Sequence, residues 1–206
     1  MPRRPRPDDV AALYTEGVEA VRTETSNLSA EQWATPVCGV WSATETARHL
    51  VAVAGWYHIW LDRALNDELS RPFPGEDIDA HNARSLTEHD DLDGEDAVAV
   101  FVESAGAYLD RVRLNWDRPF SFPFGTVTVG LHAGVAATEW HLHAWDLSVL
   151  NDERHTPARP GELFVAAGLC FAEAEGGFKG AAIRTVVPLA ARRSPWETLL
   201  RRSDRI

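Results

Sequence analysis

Thr138-Glu-Trp-His-Leu-His-Ala-Trp-Asp-Leu147 places two histidines and two carboxylates within ten residues of a segment that otherwise reads as an apolar helix. At about 100° per residue, Glu139 and His143 lie about 40° apart on that helix, and Asp146 falls about 20° from Glu139. The three share one face. His141 points elsewhere, and His132 joins the Glu139 stripe two turns earlier. The helix itself is expected over roughly 130–150, fenced at its far end by Pro157 and Pro160.

Outward from this segment the chain reads as all-α. Val10, Leu13, Tyr14, Val18 and Val21 recur at helical spacing from Asp8 to about Leu28, with Asp8 and Asp9 suited to a helix start. Thr35-Pro-Val-Cys-Gly-Val-Trp41 breaks the pattern. Ser42-Ala-Thr-Glu45 then matches a capping box, predicting a second helix through His49, Val53, Trp56 and Trp60 to about Leu69. Residues 70–93, rich in Pro, Gly and Asp, read as a long surface connection with at most a turn through Ala80–Arg84. A third helix is expected over 94–116, followed by an extended or hairpin excursion around Pro123-Phe-Gly125. A fifth helix is expected over 162–175, with Gly176-Gly-Phe-Lys-Gly180 as its stop. Ser194-Pro-Trp-Glu197 opens a short terminal helix.

The 206 residues suit one helical domain over 8–206, comprising a bundle over 8–150 and a helical extension over 157–206, after a disordered basic tail over 1–7. Apolar residues at 45% and charged residues at 25% are globular proportions, which weigh against a disordered chain. A net charge of −11 repels nucleic acid and anionic lipid. No apolar run approaches the ~20 residues of a membrane span, and no apolar stretch follows the arginines of the opening segment to make a signal. With only Cys38 and Cys170, a disulfide framework is not expected and a reducing cytoplasm is the default setting. All 20 basic residues except Lys179 are arginine, a bias of GC-rich coding.

The Glu139/His143 pair can supply two of the three protein ligands that a catalytic zinc commonly takes. The third must come from elsewhere. His49 is the better candidate because its helix face is otherwise apolar; geometry alone leaves it in competition with His132. The order of residues does not match His-Glu-x-x-His. Asp146 has two open readings, a structural hydrogen bond near the helix end or a partner orienting a ligand histidine. Trp41, Trp140 and Trp145 read as core packing, and Cys38 as a small buried hydrophobe.

Val40-Trp-Ser-Ala-Thr-Glu-Thr-Ala-Arg-His-Leu50 together with Glu139-Trp-His-Leu-His-Ala-Trp-Asp-Leu147 resembles the DinB/YfiT-like superfamily, and most closely its mycothiol-dependent maleylpyruvate isomerase branch in actinobacteria. The resemblance covers roughly residues 8–150. It implies a DinB-like four-helix bundle with His49, Glu139 and His143 as metal ligands between facing helices, zinc as the cofactor, and mycothiol or a similar thiol as cosubstrate. It also implies Asn82 and Arg84 as candidates for anion or thiol contacts. The separate C-terminal domain of the isomerase is not expected in this chain, which sets maleylpyruvate isomerisation itself apart from the chemistry the resemblance implies.

The function so implied is that of a zinc-dependent thiol transferase or thiol-assisted isomerase acting on a small electrophile, the metal holding the thiol as thiolate near neutral pH. Hydrolysis by a metal-activated hydroxide uses the same ligands. A non-catalytic module that binds or senses a small ligand, and a plain helical scaffold, are the other readings. A small thiol and an electrophile are the expected partners, and a homodimer is the default assembly for a small bacterial enzyme.

Overall fold

Val10, Leu13, Tyr14, Val18 and Val21 all lie on the buried face of α1 (Pro7–Glu24). The computed structural model describes residues 6–70, 72, 78–123, 125–174 and 194–203. Helix α1 starts earlier than the sequence pattern suggests: Pro7 occupies its first turn, and the Arg6 guanidinium pairs with Asp9 at 2.9 Å. Arg6 and Pro7 are thus part of the helix start rather than of a tail. The helix ends at Glu24, and a separate turn of helix, α2 (Ala30–Trp33), follows under a Ser29/Gln32 capping box. A single helix to Leu28 was expected; Asn27, with φ of 63°, instead turns the chain.

Strands β1 (Pro36–Cys38) and β2 (Trp41–Ser42) pair antiparallel, with Cys38 opposite Trp41 and Gly39 at a φ of 59° in the turn. Helix α3 (Ala43–Leu65) then begins under the predicted box. The Ser42 hydroxyl accepts from the Glu45 amide at 3.2 Å, and a Glu45 carboxylate oxygen accepts from the Ser42 amide at 2.7 Å. Ser42→Ala removes the first of these and is expected to cost about 1 kcal/mol of unfolding free energy, read as a lower urea midpoint at unchanged slope.

The segment after α3 corrects the expectation of a structureless connection. It carries α4 (Ile78–Glu88), laid against α3, and the loop beyond it is tied down by Arg48. The Arg48 guanidinium donates to the Leu92 carbonyl at 2.8 Å and to the Asp90 carbonyl at 2.9 Å. Helix α5 (Gly94–Leu114), strands β3 (Pro119–Phe122) and β4 (Gly125–Thr128), and α6 (Val129–Leu147) follow as the sequence pattern predicts. Helix α7 (Pro160–Ala174) covers α6, and α8 (Pro195–Arg202) packs on α7 under the Ser194 cap. The Gly176–Gly180 stop lies outside the described residues.

Helix α6 is buried nearly all round, from Leu131 through Ala133, Ala137, Trp140 and Ala144 to Leu147, so it must be central. It touches α1, α3, α5 and α7. Trp140, fully buried, is where the bundle closes: Tyr14 of α1, Tyr57 of α3 and Phe101 of α5 pack on it with ring centroids 5.9, 5.6 and 4.9 Å away. Gly17 permits the α1–α6 approach, since a Cβ there would lie 2.8 Å from that of Trp140. Helix α1 lies against α5 and α6, whereas α3 lies against α5 and on the other side of α6, so the successive long helices α1 and α3 are diagonal partners. The fold is an all-α bundle with two small hairpins. Among the described residues no helix is long and apolar enough to cross a membrane.

Candidate metal centre

The capping box fixes where α3 begins, and with it the height at which His49 faces α6. Glu139 and His143 present their side chains from the facing turns of α6. One donor atom from each of His49, Glu139 and His143 lies within 4.8 Å of the others. His49 and His143 are 3% and 2% exposed, and their rings stand edge to face at 5.3 Å. Glu139 is half-buried.

His143 is perturbed by the charges around it. Its Nδ1 lies 3.0 Å from an Asp146 oxygen and its Nε2 lies 3.4 Å from a Glu139 oxygen. Proximity and bond quality disagree here: both ring nitrogens are buried without completing a well-formed hydrogen bond. The carboxylates are close enough to act on the ring electrostatically, yet neither is engaged by it in a hydrogen bond. Burial pulls the His143 pKa down, but Asp146, Cys38 and Glu139 outweigh it and hold it well above the ordinary 6.5. A buried imidazole flanked by two carboxylates that favour positive charge, with poorly directed hydrogen bonds, fits a divalent cation in place of the proton. Two nitrogens and one carboxylate oxygen are a common donor set for zinc in an open site.

Asp146, 2% exposed, faces the ring nitrogen opposite the one near Glu139. It can therefore orient His143 while Nε2 faces the cluster. Cys38 departs from its expected role. It is half-buried and, with His143 and Asp146, makes a second donor group within 4.8 Å. Its place next to the site depends on the β1–β2 hairpin, which the sequence pattern registers only as a break. The same hairpin brings Trp41 to 5.0 Å from the His49 ring, so this tryptophan lines the site rather than the core.

His132 is not brought to this cluster. It is 1% exposed, shares a hydrogen bond of 3.0 Å with the Tyr108 hydroxyl, and packs against Phe120 at 4.4 Å and Phe122 at 5.3 Å. Burial lowers its pKa to about 3. Two helical turns separate it from Glu139, and among the described residues it belongs to no group of three His, Cys, Asp or Glu donors, so it serves the aromatic core. His141 also leaves the cluster, facing the opposite side to meet His155 at 2.9 Å.

Helix α4 contributes what the sequence pattern leaves out. Ser85 lies 3.3 Å from His49 Nδ1, and the His81 ring packs 4.1 Å from Trp56 beside the site. Arg84, exposed, donates to His81 Nδ1 at 3.0 Å; Asn82, half-buried, offers its carbonyl to Ser85 at 2.6 Å. Both anion or thiol candidates therefore sit on a helix that borders the centre, each with a hydrogen bond to another residue of α4.

The fold and the cluster together define a class, a helical bundle with a three-donor centre between facing helices. The DinB superfamily model matches residues 13–147, and the chain belongs to that superfamily. The solved structure of YfiT from Bacillus subtilis, described as a probable metal-dependent hydrolase with an unusual four-helix bundle topology, superposes with a TM-score of 0.57 over 73% of this chain and 90% of that one. At 19% identity the likeness is one of fold. Two mycobacterial proteins named as uncharacterized tRNA/rRNA methyltransferases, from Mycobacterium ulcerans (strain Agy99) and Mycobacterium marinum (strain ATCC BAA-535 / M), are each 36% identical over 129 residues. That alignment takes in 62% of this chain but only 37% of theirs.

Proposed function

We propose that this chain is a divalent-metal-dependent enzyme in which His49, Glu139 and His143 hold the ion and leave a position open for a small nucleophile. The observation that carries the proposal is the convergence of these three donors, from α3 and α6, within 4.8 Å. The alternative group of Cys38, His143 and Asp146 uses the opposite edge of the same imidazole; the reading adopted here keeps Asp146 as the carboxylate that orients His143. When bound, the ion lowers the pKa of a thiol or a water in its open position and so supplies a nucleophile near neutral pH. The chain's own residues do the rest. His49 and His143 are aimed at the centre from facing helices, Asp146 fixes the ring of His143, and Trp41 and Trp56 pack around the imidazole of His49.

The nucleophile is proposed to be a low-molecular-weight thiol of the mycothiol kind, with zinc as the ion and thiol transfer or thiol-assisted isomerisation of a small electrophile as the reaction. This finer reading is supported by the motif resemblance over His49 and Glu139–Leu147. Water as the nucleophile is the second reading, favoured by the likeness to YfiT. RNA is a poor substrate for a chain of net charge −11, despite the name the mycobacterial relatives carry. The protein is proposed to act in the cytoplasm, without membrane attachment, with a homodimer as its default assembly.

The test is metal analysis of the purified protein followed by calorimetric titration with a small thiol. Near-stoichiometric zinc and thiol binding that needs zinc, with turnover of an electrophile panel only when thiol is present, are expected. Turnover of an ester or amide panel without thiol would transfer the assignment to hydrolysis. Metal without any turnover, and a large fall in melting temperature on chelation, would leave a metal-stabilised ligand-binding module.

A further inference from the structure

One hydrogen-bond partner of His49 is a serine delivered by a different helix. Ser85 is fully buried on α4, and its Oγ lies 3.3 Å from His49 Nδ1 and 2.6 Å from the carbonyl oxygen of Asn82. A serine hydroxyl has one hydrogen. The carbonyl can only accept, and the shorter contact is to it, so the hydrogen of Ser85 lies on the Asn82 side. Toward His49 the hydroxyl can then only accept. The proton of a neutral His49 imidazole must therefore sit on Nδ1, leaving Nε2 unprotonated.

We propose that Ser85 is the positioning residue for His49, fixing through the Asn82 carbonyl the tautomer that presents Nε2 to the ion. The inference rests on the reading of His49 as a ligand, and it gives α4 a role in the site. Ring packing completes the hold on His49. Trp41 lies 5.0 Å away on one side and Trp56 6.3 Å away on another, while Trp56 is itself braced by His81 of α4 at 4.1 Å. Ser85 and His81 lie one turn apart on α4, so the helix carries both the hydrogen-bond partner and the aromatic brace. The loop that follows is anchored by Arg48, one residue before His49 on α3. The centre thus extends to a third helix, which the three-donor description does not include.

The experiment uses the full chain and Ser85→Ala, which removes the hydroxyl and leaves a residue that suits a helix. The first readout needs no metal. Long-range proton–nitrogen correlation spectra of the metal-free protein, recorded at a pH where His49 is neutral, report the tautomer directly. Wild type is expected to show His49 protonated on Nδ1, and Ser85→Ala a shift toward protonation on Nε2. The second readout is zinc affinity by chelator competition, expected to fall about 10- to 100-fold in Ser85→Ala, the range for losing an outer partner of a ligand histidine. Circular dichroism and melting of the metal-free proteins separate misfolding from this effect.

Wild-type His49 protonated on Nε2, or an unchanged tautomer in Ser85→Ala, would overturn the role of Ser85. So would zinc affinity equal to that of wild type. Failure of wild type itself to bind zinc would instead sink the metal reading, leaving the tautomer result to stand alone.

Discussion

His143→Ala is expected to strip the protein of its ion: zinc content falls to background, and any thiol binding or turnover that needs the ion goes with it. The loss should exceed the 10- to 100-fold cost of removing an outer partner, because a donor itself is removed. Stability is expected to fall as well. Asp146 is 2% exposed and loses the cationic neighbour 3.0 Å away that offsets its charge; breaking such a buried pair costs about 3–5 kcal/mol. His143→Gln separates the two effects. Its amide can still donate to Asp146 while giving no imidazole nitrogen to the centre, so it should melt near metal-free wild type yet hold no zinc. The measurements are metal analysis by mass spectrometry and urea unfolding of chelator-treated samples. Wild-type zinc content in His143→Gln would remove His143 from the centre.

What could be read from the sequence followed the range over which each signal acts. The Ser42/Glu45 box is a contact between residues three apart, so the start of α3 and the placing of His49 were both legible. The α6 face carrying Glu139, His143 and Asp146 follows from helical arithmetic. The third donor is different in kind: the otherwise apolar face around His49 favours it, but geometry leaves His132 in competition, and the motif resemblance settles the choice. The structure supplies the physical distinction, since α3 turns His49 toward His143 whereas β3 and Tyr108 enclose His132. Helix α4 was missed because its composition is polar and its stability comes from docking on α3. Ser85 and the contact of His81 with Trp56 were missed with it. Cys38 and Trp41 reach the centre through a hairpin of seven residues, Pro36 to Ser42, whose strands are too short for alternation to register.

The second large effect concerns acid. Outside the centre, His132 and His141 are buried and His155 is half-buried in the folded chain. Burial lowers His132 to about 3, and lowers His141 and His155 to about 4, with the His141 neighbour adding to the shift at His155. His141 sits between the Leu13 carbonyl at 3.2 Å and His155 at 2.9 Å, and Arg159 adds positive charge nearby. His155 faces Glu24 at 3.9 Å, too far for a hydrogen bond. All three folded-state values lie below the ordinary 6.5, so the unfolded chain takes up protons first as the pH falls. Their stability contribution is intact above pH 6.5, declines below it, and levels off near pH 4 for His141 and His155 and near pH 3 for His132.

Each proton is worth about 1.4 kcal/mol per pH unit, so at pH 5 each histidine costs about 2 kcal/mol, and the three together about 6. That is comparable to the whole stability of an ordinary domain, about 5–15 kcal/mol. His143 has the opposite sign. In the metal-free protein its raised value contributes stability that is complete below pH 6.5 and is lost as the pH rises through the folded pKa, so it does not offset the acid slope. Urea unfolding of the chelator-treated protein at pH 7, 6 and 5 should therefore show a steep fall, with cooperative unfolding close to pH 4–5. His155→Gln removes one of the three protons while leaving an amide that can donate to His141, and should flatten the slope by about one proton. Equal stability at pH 7 and pH 5 would mean that these histidines are already protonated, or solvated, in the folded chain, and the buried pair on the outer side of α6 would have to be redrawn.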